Sequence, residues 1–387
     1  MNFPKRSFFI LILLTGLLSA LPLEAKKKPG SSPLPPTELY QELDLFSKVM
    51  NLVREDYVEK VEDKTILYGA IRGMLATLDP HSVFLPPDVY QELKVDTEGR
   101  FGGVGLEVTV KDNFLTVVTP IEGTPAAKAN LREGDRILKI DGIPAKEIGL
   151  TEAVRKMRGA RGTRMALTIY RPETKENFEV PLVRDTIRIQ SVRAEMLEEG
   201  FGYARVSSFQ ENTSEELQRA LDSLEKKSKL KGLILDLRNN PGGLLDEAVN
   251  MSDMFLETGI IVTTAGRNQA PDKKLASRSG HEPTYPIIVL VNGGSASAAE
   301  IVAGALQDHK RAVLLGTQTF GKGSVQTIFE IGEGGALKLT VAKYYTPSGR
   351  SIQLKGIRPD IIVEARKSSK EDDQKKSAID YLRKKID

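Results

Sequence analysis

The chain has no cysteine, which excludes disulfides, thiolate zinc sites and a cysteine nucleophile. It has only His81, His281 and His309 in 387 residues, too few for a histidine-rich metal centre. Its formal net charge of +3 is too small to argue for nucleic acid or an anionic surface as partner. Beyond the N-terminus no segment is long and apolar enough to cross a bilayer, which takes about 20 apolar residues. What is present is ordinary for a globular protein, 40% hydrophobic and 28% charged, and the length suggests two or three domains.

The N-terminus carries an address. Lys5 and Arg6 precede an apolar run from Phe8 to Leu23, with small residues near Ala20 and Ala25. A basic region, an apolar region and small residues form a signal-peptide pattern, so residues 1–25 are expected to be removed on export across the inner membrane, to the periplasm or cell envelope. An uncleaved anchor is the alternative. Residues 26–36, rich in Lys, Pro, Ser and Gly, read as a linker.

Residues 37–95 read as helical, with Leu39, Leu43, Phe46, Met50 and Val53 at helical spacing and a second helix ending at Asp79-Pro80. Residues 96–185 change to short strands at 107–110 and 115–118, a turn–strand–turn over 131–142, a helix over 151–157 and a last strand at 165–170. From 186 to 365 strands at 202–206, 232–237, 260–264, 287–292 and 312–316 alternate with helices at 213–227, 244–256 and 297–307, the pattern of βαβ units. A hairpin follows over 325–331 and 336–345. Residues 366–387 are a charged tail ending in a short helical stretch.

In open α/β sheets ligands gather at the carboxyl ends of strands, where turns open into helices. Two turns qualify: Asp236-Leu-Arg-Asn-Asn-Pro-Gly-Gly243 and Asn292-Gly-Gly-Ser-Ala-Ser297. The second places Ser297 at a helix N-terminus, where free N–H groups favour negative charge and could hold an oxyanion. Yet Ser297-Ala-Ala-Glu300 also fits a capping box, and capping serines are far commoner than catalytic ones. Gly242 and Gly243 are candidates for a close backbone approach or for simple turn chemistry. His309 lies 12 residues beyond Ser297 on the same helix, about 18 Å at 1.5 Å per residue, and cannot serve as its base. Lys322, in Gly321-Lys322-Gly323, is the other option, since burial can leave a lysine neutral. Gln326, four residues on, shares its face in a strand or a helix and could orient the amine. A plain surface loop is the competing reading of Gly-Lys-Gly.

Taken together, these segments resemble the carboxyl-terminal processing peptidases, or tail-specific proteases. The likeness spans about residues 40 to 365 and rests on Leu78-Asp-Pro-His-Ser82, Leu235 through Gly243, Asn292 through Ile301, Gly316 through Gln326, Tyr345 through Gln353 and Gly356-Ile-Arg-Pro-Asp360. It implies a crotonase-like or ClpP-like alternating α/β protease core with an inserted PDZ domain and an N-terminal helical region. It implies Ser297 as nucleophile, Lys322 as base, Gln326 as its support, and Ala298 with Gly243 or Gly242 as oxyanion donors. Ala299, where many members have serine, and Pro241, where glycine is common, depart from the pattern; Pro241 removes a backbone donor.

Residues 96–185 resemble a PDZ domain, with Phe101, Gly102, Gly103, Val104, Gly105 and Leu106 forming the loop that captures a terminal carboxylate. A peptide would then add as a strand beside 105–110, against the helix near Val154. Arg158 is a candidate switch between this groove and the catalytic site, or simply a solvated arginine. The implied partners are protein substrates with apolar C-terminal tails, an adaptor protein, and a second copy of the chain paired through its N-terminal helices and C-terminal segment, although an intramolecular fold explains those segments equally well. Neither cofactor, metal nor nucleic acid is expected. An inactive PDZ scaffold of the cell envelope and a crotonase-like acyl enzyme are the rival readings.

Overall fold

The computed structural model describes residues 37–386 apart from 199, 268–269, 279, 281 and 367–370. The leader, the linker and His281 therefore lie outside the described residues. Two units divide the chain, residues 1–69 and 70–387. In the first, α1 (Thr37–Asp56) follows the helical spacing of its apolar residues, and Arg54 at its end pairs with Asp63, 2.9 Å away, at the start of α2 (Asp63–Ala76).

The second unit continues from α2 through a tight turn at Asp79 into β1 (Val83–Leu85) and α3 (Pro87–Glu98). Pro87 opens α3, where its missing N–H costs nothing, and Gly99 closes it in the left-handed conformation (φ 64°).

A β-rich body follows: β2 (Arg100–Gly103), β3 (Leu106–Lys111), β4 (Phe114–Pro120), α4 (Pro125–Lys128), β5 (Arg136–Ile140), β6 (Ile143–Pro144), α5 (Ala145–Met157), β7 (Arg164–Arg171), β8 (Glu176–Val183) and β9 (Asp185–Arg188). One sheet runs β3-β4-β5-β7-β8, and β2 pairs with β9. Its core joins alternate residues of β7 (Met165, Leu167, Ile169) to Ala153 and Met157 of α5. The helix expected at 151–157 starts earlier, at Ala145, and is broken by Gly149 (φ 68°). Strands β8 and β9 were not expected. Pro181 within β8 argues against a strand, and the sheet tolerates it because β8 lies at an edge.

The larger body contains β10 (Val192–Glu198), β11 (Phe201–Val206), α6 (Thr213–Glu225), β12 (Gly232–Asp236), α7 (Leu245–Asp253), β13 (Gly259–Gly266), β14 (Asp272–Ala276), β15 (Ile287–Val291), α8 (Ala298–Asp308), β16 (Ala312–Gly316), β17 (Ser324–Ile331), β18 (Gly335–Tyr345), β19 (Ile361–Ile362) and α9 (Asp373–Ile386). The main sheet runs β10-β11-β12-β15-β16-β19, parallel except for β10. Its central strands β12 and β15 are buried throughout, as unbroken apolar runs require. Leu233, Leu235 and Val289 meet α6, α7 and α8 on one face, while Ile234, Ile288 and Leu290 meet Ala378 and Leu382 of α9 on the other.

One expectation is corrected here. The strand expected at 260–264 is not part of the alternating sheet. It forms β13, which pairs antiparallel with β14 and β18 in a second sheet that also holds β1 and β17. Only Ile261 and Val262 of it are buried, too little for an interior parallel strand. The C-terminal segment forms α9, whose apolar face covers the chain's own sheet.

Candidate active site

The turns after β12 and β15 are laced together by side chains. Asn292 accepts the Asn239 N–H at 2.8 Å and donates to Asn239 Oδ1 at 2.9 Å. Ser295 Oγ donates to Leu237 O at 2.8 Å, and the Ala296 N–H donates to Asn240 O at 2.9 Å. Both turns thus present one surface at the carboxyl end of the sheet.

On that surface Ser297 adopts φ 56° and ψ −116°, a conformation L-residues rarely take and one that marks strained functional turns. The capping-box tie forms: the Ser297 N–H donates to Glu300 Oε2 at 2.9 Å. The serine hydroxyl, however, is hydrogen-bonded to the Tyr344 hydroxyl at 2.7 Å. Gly242 must be glycine, since a Cβ there would lie 2.7 Å from Ser297 Cβ, at φ 98°. Its N–H is committed to Asn240 Oδ1 at 2.8 Å. The N–H groups of Gly243 and Ala298, by contrast, donate to no protein acceptor among the described residues.

Lys322 is not on a bare surface loop. A Cβ on Gly321 would lie 3.0 Å from Gly356 N, and one on Gly323 2.4 Å from Gln353 N, so the two glycines let the 353–356 segment pack directly on this loop. The loop also bonds to the serine turn through Phe320 N–H to Ser295 O at 3.0 Å. Burial, and then the nearby Lys338, push the Lys322 amine below the ordinary lysine range, while Glu300 opposes them. Among the described residues its side chain makes no hydrogen bond or ion pair.

Gln326 lies in β17, two residues past its start at Ser324. A bulge between Val325 and Gln326 resets the alternation of β17, and Lys322 lies outside that strand, so four-residue spacing does not by itself fix a shared face. Its amide nitrogen donates to Ser324 Oγ at 2.8 Å, Ser324 O at 3.1 Å and Thr340 Oγ1 at 3.3 Å. That threonine leads to groups the sequence reading passed over. Thr340 donates to Asp79 Oδ1 at 3.2 Å, and its N–H to Ser82 Oγ at 3.1 Å. Asp79 itself accepts the N–H groups of His81 and Ser82. His81 is held below the usual histidine value by burial and then by the charge of Lys322, with Asp79 opposing. The Leu78-Asp-Pro-His-Ser82 motif was the available signal. Tyr344 was missed too; burial pushes its phenol up to about 12, so it is neutral at pH 7. His309 closes the far end of α8, bonded to Ile260 O at 2.8 Å. Among the described residues no cluster of three or more His, Asp or Glu side chains could hold a metal ion.

In the β-rich body the expected open loop is shorter than the sequence suggested. Phe101, Gly102 and Gly103 are strand β2, paired with Ile187, Thr186 and Asp185 of β9. Beyond it the N–H groups of Val104 and Gly105 donate to no protein acceptor among the described residues. Gly105 (φ 78°) lies against Thr124, where a Cβ would come within 2.3 Å of the threonine Cβ. Leu106 then starts β3, an edge strand with α5 packed beside it. Arg158, at the end of α5, sits 5.0 Å from the Phe101 ring, and its buried Nε has no hydrogen-bond partner among the described residues.

The chain matches the model of peptidase family S41 over residues 200–363, of the PDZ domain over 116–171 and of the N-terminal domain of the activating protease CtpB over 19–88. It is 49% identical to a carboxy-terminal-processing protease of Bartonella bacilliformis, over 84% of this chain and 76% of that one. It is 38% identical to the carboxy-terminal processing protease CtpA of Bacillus subtilis, over 83% and 69%. Among solved structures, a photosystem II D1 C-terminal processing protease is 33% identical, with a TM-score of 0.48 over 84% of this chain and 93% of that one.

Proposed function

Because this chain belongs to the carboxy-terminal processing proteases of peptidase family S41, serine peptidases that carry a PDZ domain, we propose that Ser297 is its nucleophile and Lys322 the acceptor of the serine proton. The observation that carries this is a lysine held below its ordinary pKa on a loop bonded to the turn of a serine in a left-handed conformation.

The reaction then runs as acyl transfer. Neutral Lys322 takes the Ser297 proton as Oγ attacks the peptide carbonyl, and the free N–H groups of Ala298 and Gly243 hold the oxyanion. The lysine returns the proton to the leaving amine, and water hydrolyses the acyl-enzyme. Gln326 supports the amine from the adjacent strand. Gly242 serves as the close-packing glycine beside Ser297 rather than as a donor, since its N–H is committed.

The substrate is a protein tail. Its carboxylate docks on the open N–H groups of Val104 and Gly105, and its chain adds along the edge of β3. Leu106 starts that edge. Phe101, Gly102 and Gly103 hold the loop in place through β9, and Arg158, stacked on Phe101 with an unpartnered Nε, is the group placed to respond to an incoming tail. Export to the periplasm or cell envelope is supported by the signal pattern of residues 1–25. Homodimer formation through α1 is supported by the exposure of Leu39, Leu43, Phe46 and Val49 on that helix.

The test is incubation with an unstructured protein bearing an apolar C-terminus, read by mass spectrometry. Wild type should release fragments, and folded Ser297→Ala none. Cleavage by Ser297→Ala would reject the nucleophile.

A further inference from the structure

We infer that Glu300 is the positioning residue that sets Ser297 and Lys322 at working distance, by holding the serine turn and the lysine loop on its two carboxylate oxygens. The inference rests on the reading of Ser297 and Lys322 as the reacting pair. Glu300 has no solvent exposure. Its Oε1 accepts from the Thr319 hydroxyl at 2.5 Å and the Gly321 N–H at 2.7 Å. Its Oε2 accepts from the Ser297 N–H and the Lys322 N–H, each at 2.9 Å. All four donors belong to the two segments that bear the reacting groups.

A helix cap does not explain this. A capping box works equally with glutamine and needs a single bond back to the N-cap. Burying a carboxylate is costly unless its lone pairs are filled. Here each oxygen faces two donors, so a glutamine amide would turn N–H against N–H at one end. Only an acceptor-only group satisfies both segments. Ser297 is also held where its backbone would not rest unaided, and the bond from its N–H to Glu300 opposes relaxation of that turn.

The same carboxylate is one of the charges facing Lys322. The other is Lys338 from β18; His81 from the turn before β1, whose imidazole the lysine's charge holds below the usual histidine value, and neutral Tyr344 from β18, bonded to Ser297, also face this region. Glu300 alone among the charged groups acting on the lysine favours its protonated form. It therefore fixes geometry and also moderates how readily the lysine loses its proton.

The experiment is steady-state kinetics of Glu300→Gln on a tail peptide across pH, with kcat expressed per folded molecule. A reacting pair displaced by about 1 Å loses roughly 100-fold in rate, so kcat should fall on that order with KM little changed. The midpoint of the rise of kcat with pH should move to lower pH, because the charge favouring protonated Lys322 is gone. A purely structural glutamate would lower the melting temperature and leave kcat per folded molecule and the pH midpoint unmoved, and that result overturns the inference. Should Glu300→Gln not fold, Thr319→Val keeps the charge and removes one donor. It should lower kcat about tenfold, the usual worth of one hydrogen bond, at unchanged pH midpoint, and an unchanged kcat overturns the inference. Lys322→Ala runs alongside. Activity surviving in that variant rejects the reacting pair itself, whereas lysine-dependent activity untouched by Glu300→Gln rejects only the role of Glu300.

Discussion

The Tyr344 hydroxyl lies 2.7 Å from Ser297 Oγ, while the backbone N–H of the same tyrosine is bonded to Gly323 O, one residue past Lys322. One residue thus bridges the lysine loop, by its backbone, and the proposed nucleophile, by its side chain. If Lys322 takes the serine proton, Tyr344 must donate to Oγ, pointing that proton toward the amine and stabilising charge as it develops. Tyr344→Phe should lower kcat about tenfold, in line with one lost hydrogen bond, with KM nearly constant. Steady-state kinetics at saturating peptide decide it, and an unchanged or raised kcat would show that the tyrosine does not donate in the reaction.

Acidity gives a second prediction. Lys322 in the folded protein sits below 10.5, chiefly through burial and then through Lys338. With Lys322 as the proposed base, activity needs the neutral amine, so kcat should rise with pH through the lysine's lowered value. For stability the sign runs the same way. Between that value and 10.5 the unfolded chain binds more protons than the folded one, so stability rises with pH in that window. Below it the cost of burying the charge is fully present. Lys322→Met should therefore melt higher than wild type near pH 7, and the gap should narrow as the pH approaches 10.5. A constant gap in calorimetric scans across that range would contradict the lowered value.

The proposed oxyanion turn gives a third. A Cβ on Gly243 would lie 2.0 Å from Phe209 O, at φ 146°. Gly243→Ala must shift this backbone, moving the free N–H beside the reaction centre. Loss of one oxyanion donor typically costs about 100- to 1,000-fold in kcat. The variant should show a fall of that order and a lower melting temperature, measured by kinetics and thermal unfolding. Near-normal kcat would remove Gly243 from the site.

Tail capture can be tested without mutation. Charge-assisted bonds to the Val104 and Gly105 N–H groups should recognise the terminal carboxylate. Amidating the C-terminus of a peptide substrate should raise KM at least about tenfold, since a hydrogen bond to a charged group is worth about 1.5–3 kcal/mol. Equal KM values for acid and amide would exclude this carboxylate site.

Much of this was legible in the chain because it is local. The apolar runs of β12 and β15, the turns that follow them and the helix opening at Ala298 are short-range patterns. The missed features depend on partners far apart in sequence. β13 looked like another interior strand, but pairing with β18, some 80 residues later, places it in a different sheet. Phe101 through Gly103 read as a loop from their glycines, and only β9 makes them a strand. Glu300 was visible as a cap. Its bonds to Thr319, Gly321 and Lys322 come from a loop about 20 residues on, and no local spacing announces them. Tyr344 sits inside a long strand pattern that gives no hint of its bond to Ser297.

The proposed reaction turns on a neutral amine accepting the proton of Ser297. The most direct measurement is the single-turnover acylation rate of Lys322→Ala against wild type, across pH, with folding checked by circular dichroism. General-base loss costs about 100- to 10,000-fold, so the variant's rate should drop by that much and lose its rise with pH. A Lys322→Ala enzyme that acylates at the wild-type rate, with the same pH dependence, would contradict the account.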